Sequence, residues 1–231
     1  MYFDSHYLLL MLGTMALSIL ASWRVKSAYA RYSQVPARSG LTGAQIAQRI
    51  LDLNGIRDVV IKPTPGQLSD HYDPTNKLLV LSEANYYGTN VAALGVAAHE
   101  CGHAIQHQQL YAPLQWRMAA VGLTTMAGQI IPFVGMGLLW IAPKIALPIL
   151  ALCFGIVMLF QLITLPVEFD ATARAKRVLA STGAVAPGAE TAAMSQVLDA
   201  AALTYVAAFI SALGTFLYYV MLLMGGGQRE K

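Results

Sequence analysis

The chain has 231 residues, 56% of them hydrophobic and only 12% charged, a balance too apolar for an ordinary soluble domain and fitting for a membrane protein. Its formal net charge of +3 is small and spread out, with no basic run interleaved with aromatic residues, which argues against nucleic acid as a partner and for anionic lipid heads instead. Of the two cysteines, Cys101 falls in a helical motif and Cys153 in an apolar stretch, so both are expected to be free thiols.

A hydrocarbon core about 30 Å thick needs about 20 apolar residues to cross it. Residues 7–23, 118–140, 145–165 and 201–224 are long enough. The first stretch has no Lys or Arg before it, whereas Arg24, Lys26 and Arg31 follow; it reads as a retained anchor rather than a secretory signal. Residues 24–117 carry nine of the fifteen Lys and Arg, residues 166–200 carry three, and Lys144, Arg229 and Lys231 remain. The positive-inside rule then puts both polar segments in the cytoplasm and both termini outside. The expected division is a transmembrane anchor at 1–23, a cytoplasmic domain at 24–117, a transmembrane hairpin at 118–165, a cytoplasmic helix at 166–200, and a last span with its tail at 201–231.

After the anchor, residues 28–40 read as a polar connector containing Pro36 and Gly40. Residues 41–54 then show Ile46, Ile50 and Leu53 at helical spacing, with Asn54-Gly55 as a stop. Residues 56–61 and 68–82 fit two or three short strands, with Pro63, Pro65 and Gly66 as breakers between them and Asp73-Pro74-Thr75-Asn76 as a turn. The expectation is a small antiparallel sheet, whose edge can hold an extended peptide by main-chain hydrogen bonds. His71, Tyr72 and Asp73 cluster at this hairpin. A His or Tyr beside a metal can stabilise an oxyanion, although turn residues are often polar for turn reasons alone.

Next comes V-A-A-H-E-C-G-H-A-I-Q-H over residues 96–107, which contains a complete H-E-x-x-H motif at His99, Glu100 and His103. At 3.6 residues per turn, His99 and His103 lie one above the other and can give ring nitrogens to one zinc ion. Glu100 sits beside them, off the metal, where the general base of such sites takes a proton from water that the metal has acidified. Asn90 is placed to cap this helix. Gly102 weakens a helix by about 1 kcal/mol, which points to a close approach of something to the backbone there. His107 continues the row, but three ligands at i, i+4 and i+8 span roughly 12 Å, too far for one ion. The bland alternative is a buried amphipathic helix with hydrogen-bonded histidines.

The helix should end near Tyr111-Ala112-Pro113, and the next two spans turn at Ala142-Pro143-Lys144, with Pro132 and Pro148 as kink sites. The third span stops at Pro166 and runs into a helix-forming stretch that puts Glu168 just past the membrane boundary, on the same side as the motif. Glu168 is therefore the expected third ligand, giving a His, His, Glu site with the fourth position for water. On a helix Asp170 lies about 200° away from it, so Asp170 pairs with Arg174 at i+4 or orients a ligand histidine. Without a metal, both acids are simply favoured by a helix N-terminus.

With those residues placed, the chain resembles the YugP-type family of neutral zinc metallopeptidases, membrane proteins mostly of bacteria. The matching stretches are S-D-H-Y-D-P from Ser69, A-A-H-E-C-G-H-A-I-Q from Ala97, Y-A-P-L from Tyr111, L-P-V-E-F-D-A from Leu165 and A-A-L-T-Y-V-A-A from Ala201. The resemblance implies a membrane-embedded peptidase with His99 and His103 as ligands and Glu100 as base. More distantly the pattern is similar to gluzincin membrane proteases, in which an Asp follows the ligand Glu by four residues. Thr172 stands there in this chain, so a hydroxyl, or Asp170, takes that supporting place.

The fold expected is an α+β membrane protein: four transmembrane helices plus a small cytoplasmic gluzincin-like domain of antiparallel strands and a zinc-binding helix. Two functions compete. One is a zinc metalloendopeptidase cutting peptides or membrane proteins near the cytoplasmic face with one Zn2+; the other is a non-catalytic scaffold or chaperone holding a structural metal. They part at Glu100, which a structural site does not need.

Overall fold

The computed structural model describes residues 5–66 and 69–226. Leu68 of the expected strand run and the tail beyond Gly226 lie outside them. Eight α-helices and three strands follow in the order α1 Ser5–Tyr32, α2 Gly43–Leu53, β1 Val60–Thr64, β2 His71–Asp73, β3 Leu78–Ser82, α3 Glu83–Tyr86, α4 Val91–Gln108, α5 Ala112–Phe133, α6 Leu139–Ile141, α7 Pro143–Thr182 and α8 Ala189–Gly226. Four helical segments, Tyr7–Tyr32, Ala112–Ile141, Pro143–Thr182 and Ala189–Gly225, are long and apolar enough to cross a membrane.

The chain forms two compact units. The first comprises residues 1–20, 116–165 and 204–231. Its helices pack through small-against-large contacts: a Cβ on Gly155 would meet the Phe216 ring at 3.1 Å, and the Phe154 and Tyr219 rings stack with centroids 5.1 Å apart. Pro132, inside α5, is followed by a π-helical turn at Val134–Leu138. Proline removes a backbone donor and crowds the preceding turn, and a wide turn nearby is a common accommodation. The helix α7 runs without interruption through Pro148 and Pro166, so the third apolar run and the helix-forming stretch after it are one element.

The second unit comprises residues 21–115 and 166–203. Thr42 caps α2, and with Gln45 it forms a reciprocal capping box; Ile46, Ala47, Ile50 and Leu51 on one face are buried. The helix ends where Asn54 and Gly55 were expected to stop it, with Gly55 at φ +69. The expectation of an antiparallel sheet holds for only one of two pairings. The strand order is β1-β3-β2, with β2 antiparallel to β3 but β1 parallel to it. A parallel neighbour requires the chain to cross over between them, which leaves β3 central, with Leu79 and Leu81 fully buried. Pro63, read as a breaker, lies inside β1. It is tolerated because β1 is an edge strand, where one side of the backbone needs no ladder partner. The turn after β2 is tied by Asp73, whose Oδ1 accepts from the backbone N–H groups of Thr75 at 2.9 Å and Asn76 at 3.1 Å.

The helix α1 continues to Tyr32, well past the residue at which the connector was expected to begin. Its last turns carry side chains into the second unit's polar network: the Tyr29 hydroxyl donates to Asn85 Oδ1 at 2.7 Å and the Tyr32 hydroxyl to Gln196 Oε1 at 2.7 Å.

The helix α4 runs from the Asn90 cap, whose side chain accepts from Ala93 N. Fourteen of its residues are buried, including Gly102. A Cβ on Gly102 would stand 2.7 Å from the carbonyl oxygen of Ala171 and 3.1 Å from its Cα. Both obstacles are backbone atoms of α7 and cannot swing aside, so only glycine lets the two helices meet this closely. Gly102→Val is expected to destabilise the purified protein by about 1–3 kcal/mol as an overpacked contact, read as a lowered Tm; unchanged thermal unfolding would show that the helices separate without cost.

Candidate metal centre

The helical spacing of His99 and His103 puts their rings on one face of α4, edge to face with centroids 4.9 Å apart. Glu168 lies on α7 one turn before Ala171, so the face that meets Gly102 is also the face that carries this carboxylate. Its Oε2 lies 3.2 Å from His99 Nε2 and 3.5 Å from His103 Nε2. One atom from each of the three residues falls within 4.8 Å of the others. Zinc bonds of about 2.0–2.2 Å to nitrogen and oxygen in a tetrahedron give ligand edges of about 3.3–3.5 Å, which the two carboxylate–imidazole separations approach.

The surrounding hydrogen bonds sharpen the fit. Gln106, fully buried, donates through Nε2 to the carbonyl of Val167 at 2.8 Å and to Asp170 Oδ2 at 2.9 Å. Both partners only accept, so the amide orientation is fixed and its Oε1 must face His103 Nδ1, 3.0 Å away. That nitrogen therefore donates, which in the tautomer that can hold a metal leaves the lone pair at Nε2. A lone pair facing a carboxylate is repulsive unless a proton or a cation stands between them. The chemistry and spacing of the donor set thus fit a zinc ion held by His99, His103 and Glu168. Thr172 Oγ1 lies 3.4 Å from His99 Nδ1, a longer support on the second ring.

Glu100 is 7% exposed and beside the triad but outside the three-residue group. Burial pushes its carboxyl up to about 7; the charges of Glu168 and Asp70 add to this, while those of His99 and His71 oppose it.

The structure brings some of the other expected residues close and assigns others elsewhere. Asp170 is ion-paired with Arg174 and also accepts from Gln106, so it reaches His103 only through that amide. His71 is exposed on β2, with Nδ1 2.9 Å from the Ser69 carbonyl, and it lies near enough to Glu100 to influence its charge. The Tyr72 hydroxyl is engaged by His107 Nδ1 at 2.9 Å. Burial pushes that phenol up to about 12, with Asp58 and Asp73 contributing, so it stays protonated. His107 is half-buried and takes this contact rather than joining the three-residue group.

Two residues that sequence reasoning did not single out prove central. Gln106 has a signal only in hindsight of its spacing, three residues after His103 on the same face. Asp70 accepts from Ser82 N at 2.7 Å, Ser82 Oγ at 3.1 Å and Asn85 Nδ2 at 2.9 Å, which pins the segment before β2 to the end of β3. Nothing in the local pattern distinguishes it from its neighbour His71.

Residues 7–224 match the sequence profile of the family described as "Putative neutral zinc metallopeptidase". The chain is 41% identical over 220 residues, 95% of its own length and 97% of the relative's, to the Bacillus subtilis (strain 168) protein described as "Putative membrane protease YugP". No solved structure matches it.

Replacing Gln106 by Leu removes the acceptor that fixes the His103 tautomer and leaves Asp170 and the Val167 carbonyl short of a donor. Zinc affinity is expected to fall roughly 10–100-fold, the usual cost of losing such a supporting group. Competition with a chromophoric chelator measures it, and undiminished affinity in a folded Gln106→Leu protein would contradict the role derived for the amide.

Proposed function

The chain belongs to this zinc metallopeptidase family, and from that premise we propose that it is a membrane-embedded, zinc-dependent metalloendopeptidase that hydrolyses peptide bonds near the cytoplasmic face. The observation that carries the reading is the convergence of His99, His103 and Glu168 with a fourth group, Glu100, buried beside them and not needed to hold an ion. A purely structural site has no use for that carboxylate.

His99 and His103 through Nε2 and Glu168 through Oε2 would hold the ion, three protein donors being the number a catalytic rather than a structural zinc takes. Zinc bound there supplies Lewis-acid activation of water and of the scissile carbonyl. Glu100 takes the proton from the attacking water as the carbon–oxygen bond forms, then returns it to the leaving nitrogen as the carbon–nitrogen bond breaks. A buried carboxyl whose proton affinity is raised toward neutrality suits both halves of that shuttle. With the Tyr72 hydroxyl engaged by His107, His71, whose charge reaches Glu100, is the side chain assigned to support developing negative charge on the carbonyl oxygen. Gln106, Asp170 and Thr172 hold the two imidazoles in orientation. The edge strand β2 beside this site offers backbone groups to an extended substrate.

The chain is a multi-pass membrane protein. Glu168 follows the apolar run 145–165 by three residues, which supports an active site close to the lipid surface. The excess of Lys and Arg in residues 24–117 and 166–200 supports the cytoplasmic side for it.

Glu100→Gln is expected to retain zinc and lose at least about a hundredfold in peptide hydrolysis, the lower range for a general base, whereas His99→Ala or His103→Ala loses the metal. Elemental analysis alongside a peptidase assay separates the two effects; full activity in metal-loaded Glu100→Gln protein would favour the scaffold reading. For the topology, Lys77→Cys and Glu190→Cys should be shielded from impermeant thiol reagents in intact cells and labelled after permeabilisation. Labelling from outside would move the site to the opposite face.

A further inference from the structure

A groove of about 290 Å³ lies between α1 and α8 within the second unit, away from the metal centre, and its walls include Trp23, Arg24, Arg31 and Tyr32 from α1 and Gln196 and Asp199 from α8. Its position along both helices is informative. Residue 23 ends the apolar run 7–23, and residue 201 begins the apolar run 201–224. The groove therefore sits, on each helix, where apolar residues give way to polar ones. Both of those ends fall on the same side by the Lys and Arg bias. Trp23 is largely exposed there, as tryptophan commonly is at the level of lipid headgroups.

The charge in the groove has one sign left to offer. Arg24 and Arg31 are seven residues apart, two turns of α1, and so project from the same face. The Arg31 guanidinium stands over the Tyr32 ring, 5.4 Å from its centroid, and Tyr32 is itself held by its hydrogen bond to Gln196. The acidic member, Asp199, is taken by Lys176 at 2.6 Å. Arg24 and Arg31 both line the groove, and their planar forks match phosphate oxygens better than an ammonium would. A soluble phosphoryl compound would find the same two cations. The boundary position and the exposed indole beside them favour a ligand whose phosphate is joined to apolar chains.

We propose that this groove binds the phosphate headgroup of an anionic phospholipid. The lipid phosphate lies between Arg24 and Arg31, and the glycerol region lies against Trp23. This site makes no contact with His99, His103 or Glu168, so its occupancy is measurable whether or not the chain hydrolyses peptides.

The test uses the full chain in mixed micelles containing equal phosphatidylglycerol and phosphatidylcholine, with retained lipid counted by native mass spectrometry. The wild-type protein should keep phosphatidylglycerol selectively, and Arg24→Gln/Arg31→Gln should lose about tenfold of that retention. Lys26→Gln, which removes a charge from α1 outside the groove, should leave it unchanged. Should the double variant fail to fold, Ser27→Glu, which puts a negative charge on the groove wall, should abolish retention while Ser27→Gln preserves it. Equal retention of the two lipids by the wild type, or undiminished retention in the folded double variant and in Ser27→Glu, would overturn the proposal. So would complete displacement by excess inorganic phosphate, which would make the site one for a soluble phosphoryl compound.

Discussion

The close approach of α4 and α7 at Gly102 and Ala171 is the constraint on which the grouping of His99, His103 and Glu168 depends. His99 and His103 bracket Gly102 on one helix, and Glu168 stands one turn from Ala171 on the other. Residues three and four apart share a helix face, so one backbone contact fixes all three groups relative to one another. The 3.2 and 3.5 Å separations between the carboxylate and the two rings exist because no side chain intervenes at residue 102. A larger residue there would push the helices apart, and a shift of less than an ångström would spoil a tetrahedral edge of about 3.4 Å.

Around that contact the polar groups divide into distinct tasks, although four carboxylates lie close together. Glu168 is buried against the two imidazoles, and Glu100 is buried with its proton held near neutrality. Asp170 is neutralised by Arg174 and passes its orienting influence through Gln106, while Asp70 anchors the chain before β2. On the function proposed above, the same chemical group would hold, shuttle, orient or staple according to what surrounds it, which is how sites separate the roles of neighbouring acids. Arg174 also donates to Gln109 Oε1 at 2.6 Å, so the pairing on α7 reaches back to the end of α4 and reinforces the crossing.

The end of α1 takes part in this arrangement. Tyr29 reaches Asn85, which donates to Asp70, and Tyr32 reaches α8 through Gln196. A helix that begins as an apolar run therefore finishes as a structural member of the second unit, and the groove with Arg24 and Arg31 lies where its character changes.

The sequence alone determined what depends on local spacing and composition. The four apolar stretches, the His99, Glu100 and His103 motif, the Asn90 cap and the Asn54-Gly55 stop are each legible within a few residues, because helical periodicity and capping are local physics. Even Gly102 announced a close approach, though not what approaches. That Glu168 and Asp170 could not both face the two histidines was legible too, since a helix turns about 200° between them. Other features were decided only by tertiary structure. The parallel pairing of β1 with β3 depends on a crossover that no strand pattern encodes, and Pro63 could enter a strand only because that strand became an edge. That the third apolar run and the stretch after Pro166 form one unbroken helix was likewise decided there, because a proline's effect on a helix depends on whether its surroundings accommodate the lost hydrogen bond. Gln106 looks like any polar helix residue until the Val167 carbonyl and Asp170 arrive from α7 and leave its oxygen facing His103. Hydrogen-bond direction is set by partners distant in sequence, and those partners meet only when the two helices pack.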